Sequence, residues 1–510
     1  MVPSLDPRLP VLVGAGQIAH HGDDLYSAPE PAALMLNALR LAENDSDGSG
    51  LLAAADVVGS VGQLSWRYPN VGRLVADGLG ATPRRILQSR MGGNLAGSML
   101  NAMARDIQAG RADVVLLCGA EAWRTRNRAR AADVTLGWTE QDPGTAEPAM
   151  YGPATPLNSD TEKARGVTTA THIYALFDVA LRARLGLTVG EHRQRIGGLW
   201  SAFSAVAAEN PDAWSPQRLA VSELVEPTPT NRMIAFPYTK RLCSNNHVDQ
   251  GAAVILTSVG AAERHGVPRD RWVFLHAGAD AVDHWYVSNR ADLCSSPAVR
   301  VAGLEVLALA GIEPHDLAHV DLYSCFPSAV QIAARELGLV DPDATNGTGW
   351  GGIGAAGPLT VTGGMNFAGG PWNNYPTHGL ATMIDVLRNE PDRPGLCTAN
   401  GGYTTEHALV VLSSRPPAAG AFRHAEPQAE VDALPSVACD DGFEGLVRVE
   451  SATVVHDRHG PERAIVAART PAGQRTWCSS IEPGAMMAIE TTESVGRAAT
   501  RDTEGIFHFV

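Results

Sequence analysis

Apolar residues fall in short blocks that alternate between two periods. Val11-Leu12-Val13-Gly14 reads as a buried strand, and Pro31 to Ala42 as a helix that a proline can open. Asp56-Val57-Val58-Gly59-Ser60-Val61 gives a second strand. Met99 to Gly110 then repeats apolar residues at helical spacing and closes on glycine, and Asp113-Val114-Val115-Leu116-Leu117-Cys118 gives a third strand, ending in Gly119-Ala120-Glu121. Strands separated by helices favour a parallel sheet with helical crossovers. Residues 122 to 240 break this rhythm with several helices and Pro/Gly/Asn loops, and it returns at Ala252-Ala253-Val254-Ile255-Leu256-Thr257.

The second half echoes the first. Helix Val299 to Ala310 leads to His319-Val320-Asp321-Leu322-Tyr323, as helix 31–42 leads through a linker to Ala55-Asp56-Val57-Val58-Gly59. Helix, turn, aspartate and strand recur in that order, which predicts a duplicated α/β unit. Arg415-Pro416-Pro417-Ala418-Ala419-Gly420 reads as a linker. Beyond it, Gly445 to Val455 and Arg463 to Thr470 are strand-like, punctuated by His459-Gly460-Pro461 and Pro471-Ala472-Gly473. Short strands at such spacing predict a small β-domain, a barrel of the oligonucleotide/oligosaccharide-binding type or a sandwich.

A length of 510 residues predicts two or three domains, and a 45% hydrophobic content in short runs is that of a soluble globular protein. No run approaches the ~20 apolar residues of a membrane span. The segment Met1-Val2-Pro3-Ser4-Leu5-Asp6 has neither a basic region nor an apolar stretch of the secretory kind. Seven cysteines, odd in number and irregularly spaced, read as reduced thiols of a cytoplasmic protein. The net charge of −15 argues against general nucleic-acid binding. A local arginine cluster still suits an anionic small ligand. Arg84-Arg85 and the series Arg124, Arg126, Arg128, Arg130 are two such clusters, read first as solvated surface. No Cys/His spacing supports a metal site. The glycine-rich stretch 346 to 370 lacks the Lys-Ser/Thr ending of a phosphate-binding loop.

The loop Gln88-Ser89-Arg90-Met91-Gly92-Gly93-Asn94-Leu95, the helix after it, Ala109-Gly110, the strand and Gly119-x-Glu121 together resemble the thiolases, which join and cleave acyl-CoA thioesters. The resemblance runs over roughly residues 9 to 415 and includes Glu209-Asn210-Pro211-Asp212-Ala213, Ile234-Ala235-Phe236-Pro237-Tyr238 and the turn Asp249-Gln250-Gly251-Ala252-Ala253. Among thiolases the sterol carrier protein thiolases and the mycobacterial thiolase-like proteins of type 1 match best, the latter with an extra C-terminal β-domain. The implied fold is a duplicated α/β thiolase unit, layered αβαβα with two central sheets, followed by a small oligonucleotide-binding-like barrel. The expected boundaries are 1–121 with 252–265 for the N-terminal half, and 122–251 for an inserted loop domain. The C-terminal half takes 266–415, a linker 416–429 and the additional domain 430–510.

In thiolases a cysteine at a helix N-terminus, favoured there as thiolate by the helix dipole, carries the acyl group. A second cysteine moves protons, and a Gly-His-Pro histidine with an Asn or His stabilises oxyanions. This chain departs at all four places. Gly93 stands at the nucleophile, and Tyr323 of Tyr323-Ser324-Cys325-Phe326 at the Asn/His. Gly370 of Gly369-Gly370-Pro371 stands at the histidine, and Asn400 of Asn400-Gly401-Gly402 at the second cysteine. Ordinary thiolysis by this set is not expected. Cys325, Cys397 and His407 read as structural.

The resemblance therefore implies an acyl-CoA-utilising protein of the acyltransferase lineage without the covalent mechanism. It would have no tightly bound cofactor, and a CoA thioester as substrate or ligand. Tyr323, Tyr375, His378 and Asn400 are the candidate catalytic residues: two phenols, or a phenol and an imidazole, can pass protons without a covalent intermediate. Asn366, Gly369, Gly402 and Cys325 are candidate ligand contacts. Some thiolase-fold enzymes lacking the cysteine are retro-aldolases on β-hydroxyacyl-CoA, using tyrosines and a partner with an oligonucleotide-binding-type domain. The alternatives are such a retro-aldolase, a non-catalytic acyl-CoA or lipid binder, or a scaffold recruiting a protein partner through the C-terminal domain. A monomer or a homodimer fits each.

Overall fold

The computed structural model describes residues 5–340 and 358–510. The start of the N-terminal segment and the first part of the glycine-rich stretch, 346–357, lie outside the described residues. The chain contributes strands β1 (Pro10–Ala19), β2 (Val57–Ser60), β3 (Arg85–Ser89), β4 (Val114–Ala122) and β5 (Ala149–Tyr151), then β6 (Met233–Ala235), β7 (Tyr238–Thr239) and β8 (Asp249–Ser258). The second half adds β9 (Val273–Val282), β10 (His319–Asp321), β11 (Gly395–Gly401), β12 (Glu406–Ser413) and β13 (Arg423–Ala425). The last five are β14 (Gly445–His456), β15 (Pro461–Arg469), β16 (Arg475–Ser480), β17 (Ala498–Arg501) and β18 (Phe507–Phe509).

The expected repeat is visible in the sheet. One eleven-stranded sheet runs β10-β11-β12-β9-β1-β8-β4-β2-β3-β5, with β13 added on β9. Outward from the centre, β9-β12-β11-β10 mirrors β1-β8-β4-β2, beyond which the first half adds β3 and β5: each half begins on a central strand, crosses by an outer helix to a parallel strand, and returns by an inner helix. The outer helices are Pro31–Asp45 and Pro297–Ala310, and the inner ones Leu95–Gln108 and Tyr375–Asn389. Instead of two separate central sheets, the halves are joined by a short antiparallel ladder, Val11 with Phe274 and Leu12 with Val273. An α/β half exposes an apolar strand edge at its centre, and pairing the two edges satisfies backbone groups that would otherwise be buried unpaired.

Each inner helix buries a wide apolar face between the layers and leaves polar residues on the remaining side. Ala96, Met99, Leu100, Met103, Ala104 and Ile107 are buried with Leu380, Met383, Ile384 and Leu387 in one cluster between the layers. Gly97 lets the first inner helix approach the sheet, since a Cβ there would stand 3.0 Å from the Ala408 Cβ and 3.2 Å from that of Ala399.

Within the span expected as linker, Arg423–Ala425 pairs in parallel with β9 and so belongs to the main sheet. The C-terminal strands form a seven-stranded sheet of order β16-β15-β14-β17-β18, and β6 and β7 of the inserted region join it through β14. A single parallel bridge, Ser479 to Ile506, links the two ends of that path. Side chains weld this sheet to the body. The buried Arg475 guanidinium donates to the carbonyls of Val287 (2.8 Å), Ser288 (3.1 Å) and Arg290 (2.8 Å) while pairing with Glu450 at 2.6 Å.

The two arginine clusters are engaged locally. Arg84 pairs with Asp56 and Arg85 with Asp106, while Arg124 and Arg128 both meet Asp23. No helix among the described residues is long and apolar enough to cross a membrane.

Candidate functional site

Gly93 closes the loop before helix Leu95–Gln108, and its missing side chain decides the local packing. A Cβ built on Gly93 would lie against the Tyr323 hydroxyl, 2.9 Å from Tyr323 Cζ and 2.5 Å from the Asn400 carbonyl oxygen. Tyr323 thus fills the space that a side chain at Gly93 would need. Its backbone N–H donates to Thr398 Oγ1 at 2.9 Å, and its ring meets Tyr375 edge to face with centroids 5.6 Å apart. Burial drives the Tyr323 phenol far above its ordinary range. At neutral pH it is therefore a hydrogen-bond donor rather than a base.

The other candidates divide. Tyr375, fully buried, donates its hydroxyl to Asp321 Oδ2 at 3.1 Å and lies in hydrogen-bond contact with Thr362 Oγ1 at 2.7 Å. It clamps the strand that leads to Tyr323. His378, one turn along the same helix, is turned elsewhere: its Nδ1 meets Gln17 Oε1 at 2.7 Å, and no contact joins it to Tyr323 among the described residues. Burial lowers the imidazole to about 3, so His378 is neutral. The sequence reading expected Tyr323 and His378 to act together; the structure separates them, because the helix phase aims His378 at β1.

Asn400 does reach the Gly93 neighbourhood. Its Nδ2 donates to the Tyr174 hydroxyl at 3.0 Å, and its Oδ1 is buried without a partner among the described residues. Tyr323, Thr398, Asn400, Thr404 and His407 border a cavity of about 20 Å³, room for about one water. His407 Nε2 lies 3.3 Å from Ser296 Oγ, bridging β12 to the outer helix.

The candidate ligand contacts are packed into loops. Asn366 Nδ2 donates to the Arg241 carbonyl. Gly369 has φ of +105° and abuts the Gln250 side chain. Gly370 donates to the Asn245 carbonyl at 2.9 Å, and a Cβ there would stand 2.9 Å from Asn246 Oδ1. Gly402, at φ +63°, receives the Tyr174 hydroxyl on its carbonyl at 3.4 Å. The Cys325 carbonyl accepts from the Ser244 N–H at 3.0 Å, and burial raises its thiol to about 12. All seven cysteines are free and burial raises the pKa of every one, so no thiol is poised as thiolate.

Sequence reasoning missed Tyr174, Thr398 and Glu406. Tyr174 comes from the inserted region, where no motif signals an approach to Asn400. Glu406 opens β12 directly below Asn94, at the start of the inner helix. It is 3% exposed, and no cationic side chain pairs with it among the described residues. Burial, opposed by a hydrogen bond with Asn94, raises its carboxyl to about 7. Between pH 4.5 and 7 the folded state then holds a proton that the unfolded chain releases, so stability should fall as pH rises through that window and level off above it. Glu406→Gln should abolish this part of the slope. Denaturant midpoints of both proteins across the window check it, and parallel pH profiles would refute it.

Comparison with known proteins agrees with this architecture. Residues 279–414 match the family described as thiolase C-terminal domain-like, and residues 426–504 the thiolase-like protein type 1 additional C-terminal domain. A monomeric SCP2-thiolase like protein type 1 from Mycobacterium smegmatis superposes with a TM-score of 0.81 at 28% identity, covering 99% of this chain and 100% of that one. The Ltp2-ChsH2(DUF35) aldolase superposes with a TM-score of 0.61 at 20% identity over 81% of this chain and 100% of that one. An acetyl-CoA acetyltransferase of Methanocaldococcus jannaschii is 23% identical over 274 residues, and the match spans 53% of this chain but only 61% of the archaeal protein. The body has the fold of the thiolases, the additional domain follows it, and the chain as a whole is similar to the SCP2-thiolase like protein of type 1.

Proposed function

We propose that this protein binds an acyl-CoA thioester beside Tyr323 and Asn400 and forms no acyl-enzyme. The observation that carries this reading is the Gly93–Tyr323 packing: a neutral phenol stands where the covalent nucleophile would, and a side chain restored at Gly93 would meet it. The raised Tyr323 phenol supports a donor role toward the thioester oxygen, and the Asn400 amide a polar orienter beside it. The acetyl-CoA acetyltransferase kinship supports the ligand class.

Cysteine-free retro-aldol cleavage of a β-hydroxyacyl-CoA is the second reading, favoured by the fold shared with the Ltp2-ChsH2(DUF35) aldolase and by the fused C-terminal domain. That reaction takes the proton from the β-hydroxyl, breaks the Cα–Cβ bond to give a carbonyl product, and returns a proton to the thioester enolate. Tyr323 suits the enolate oxygen as a donor. The hydroxyl proton needs a base, and His378, held on Gln17, faces away.

Calorimetry with a panel of acyl-CoA and β-hydroxyacyl-CoA esters, followed by intact-protein mass spectrometry and product analysis, tests both. The expected result is saturable binding, no acyl adduct and no released aldehyde or ketone. Tyr323→Phe should weaken binding by about three- to tenfold, the value of one lost hydrogen bond. A covalent adduct, or no binding across the panel, would overturn the proposal. A carbonyl product that Tyr323→Phe abolishes would replace it with the retro-aldol reading.

A further inference from the structure

A cleft of about 460 Å³ opens on the side of helix Leu95–Gln108 that faces away from helix Tyr375–Asn389, beginning at Asn94, one residue past Gly93. The volume is that of a small-molecule site. Asn94, Ser98 and Arg105 line it from the helix, Asp280 from β9, and Glu406 with His407 from β12. The rings of Tyr151 and Trp285 form its walls, and His424 and Glu426 close the far side.

The charges inside are mostly settled among themselves. Arg105 pairs with Glu426 at 2.6 Å, and His424 Nε2 meets Asp280 Oδ2 at 2.7 Å. Asp280 also accepts from Asn101 Nδ2 at 2.9 Å and from the Ser98 hydroxyl. Glu406 is different: it is buried, borders the cleft and has no counter-ion among the described residues. Beside it, Asn94 is 4% exposed and its Oδ1 has no donor among the described residues. What remains is a carboxyl without a counter-ion and, at Asn94 Oδ1, an acceptor without a donor, in a cleft that Tyr151 and Trp285 also line. Acceptors that lack donors ask for a ligand rich in N–H, and aromatic walls favour a cation over a neutral donor.

We propose that this cleft binds an organic ammonium cation, held by Glu406 and Asn94 near Asp280, with Trp285 and Tyr151 against its alkyl groups. In the absence of such a ligand burial favours a proton on Glu406, whose carboxyl is raised to about 7 against the opposing hydrogen bond from Asn94. The ammonium takes the place of that proton, so binding below neutrality releases it to solvent. The proposal does not rest on the acyl-CoA reading, since Glu406 and Asn94 are not the groups placed beside the thioester, although His407 borders both spaces.

Titration calorimetry of the full chain with n-butylammonium and tetramethylammonium chloride, against potassium chloride at equal ionic strength, tests the proposal between about pH 5.5 and pH 8. The expected result is saturable binding of one cation, weakening towards tenfold per pH unit below about pH 7, with proton release seen as a dependence of the heat on buffer ionisation. Glu406→Gln should weaken binding at least about tenfold at pH 8 and remove its pH dependence. Trp285→Ala, away from the buried carboxyl, should weaken it several-fold with the pH dependence intact. No saturable binding of either probe at pH 8 would overturn the proposal. So would Glu406→Gln binding as the unaltered protein does, given a circular dichroism spectrum that shows the variant folded.

Discussion

Gly93→Cys is expected to cost about 3 kcal/mol of stability and to leave the protein unable to take an acetyl group from acetyl-CoA. The cost is steric. The new Cβ falls against the Tyr323 hydroxyl and 2.5 Å from the Asn400 carbonyl oxygen, and neither neighbour can yield easily. Tyr323 is wedged against Tyr375, which is itself tied to Asp321, and the Asn400 carbonyl belongs to strand β11. Overpacking of this kind costs about 1–3 kcal/mol, and a rigid backbone neighbour pushes it to the upper end. The second variant, Gly93→Cys with Tyr323→Asn, vacates the phenol's space and should recover at least about 1 kcal/mol beyond additivity. Urea unfolding of the two single variants and the double variant measures that coupling. A Gly93→Cys protein as stable as its parent, or strict additivity, would show that Tyr323 does not fill the nucleophile's place.

Glu450→Ala is the second large effect expected, about 3–5 kcal/mol, because it strands a buried charge. Arg475 is fully buried and its guanidinium is bound to Glu450 Oε1 at 2.6 Å and Oε2 at 2.8 Å. Arg469 shares the same carboxylate at 2.6 Å. Without Glu450 the three carbonyls of residues 287–290 still hold Arg475 but cannot neutralise it. The weld between the C-terminal sheet and the body should therefore loosen first. Near-ultraviolet circular dichroism during unfolding reads this through Trp477, whose indole N–H donates to Ser288 Oγ at 2.9 Å. A loss below about 1 kcal/mol, typical of an exposed pair, would mean that the cluster is solvated.

Both expectations rest on contacts between residues far apart in the chain, and this marks the boundary of what the sequence discloses. The period of apolar residues is a local property, so strands β2, β4 and β8, the outer helices and the echo between the halves were legible directly. The glycine-ended inner helix was legible too, although its first turn, Leu95 to Ser98, was not, since small and polar residues there obscure the pattern. The C-terminal strands were legible as short alternating runs. Their union with β6 was not, because Met233–Ala235 carries no signal of the strand it will meet.

At the site the same division holds. Residue identity alone allowed Gly93, Gly370, Asn400 and Tyr323 to be read as departures from a thiolase pattern. The sequence could not say that Tyr323 occupies the volume Gly93 leaves, since volume is shared only after the two halves of the sheet have come together. Nor could it orient His378. Three residues along a helix turn a side chain by about 60° short of a full turn, and only the packed position of the helix decides which neighbour that angle finds. Glu406 makes the point most sharply: an ordinary glutamate in the sequence, it becomes unusual only when folding buries it beside Asn94 with no counter-charge. The sequence by itself determined most of the elements, the duplication and the absence of a side chain at residue 93, all of which follow from local pattern and residue type. Tertiary structure alone decided that Tyr323 packs against Gly93 and which buried groups lack partners, because both depend on which surfaces exclude water from one another.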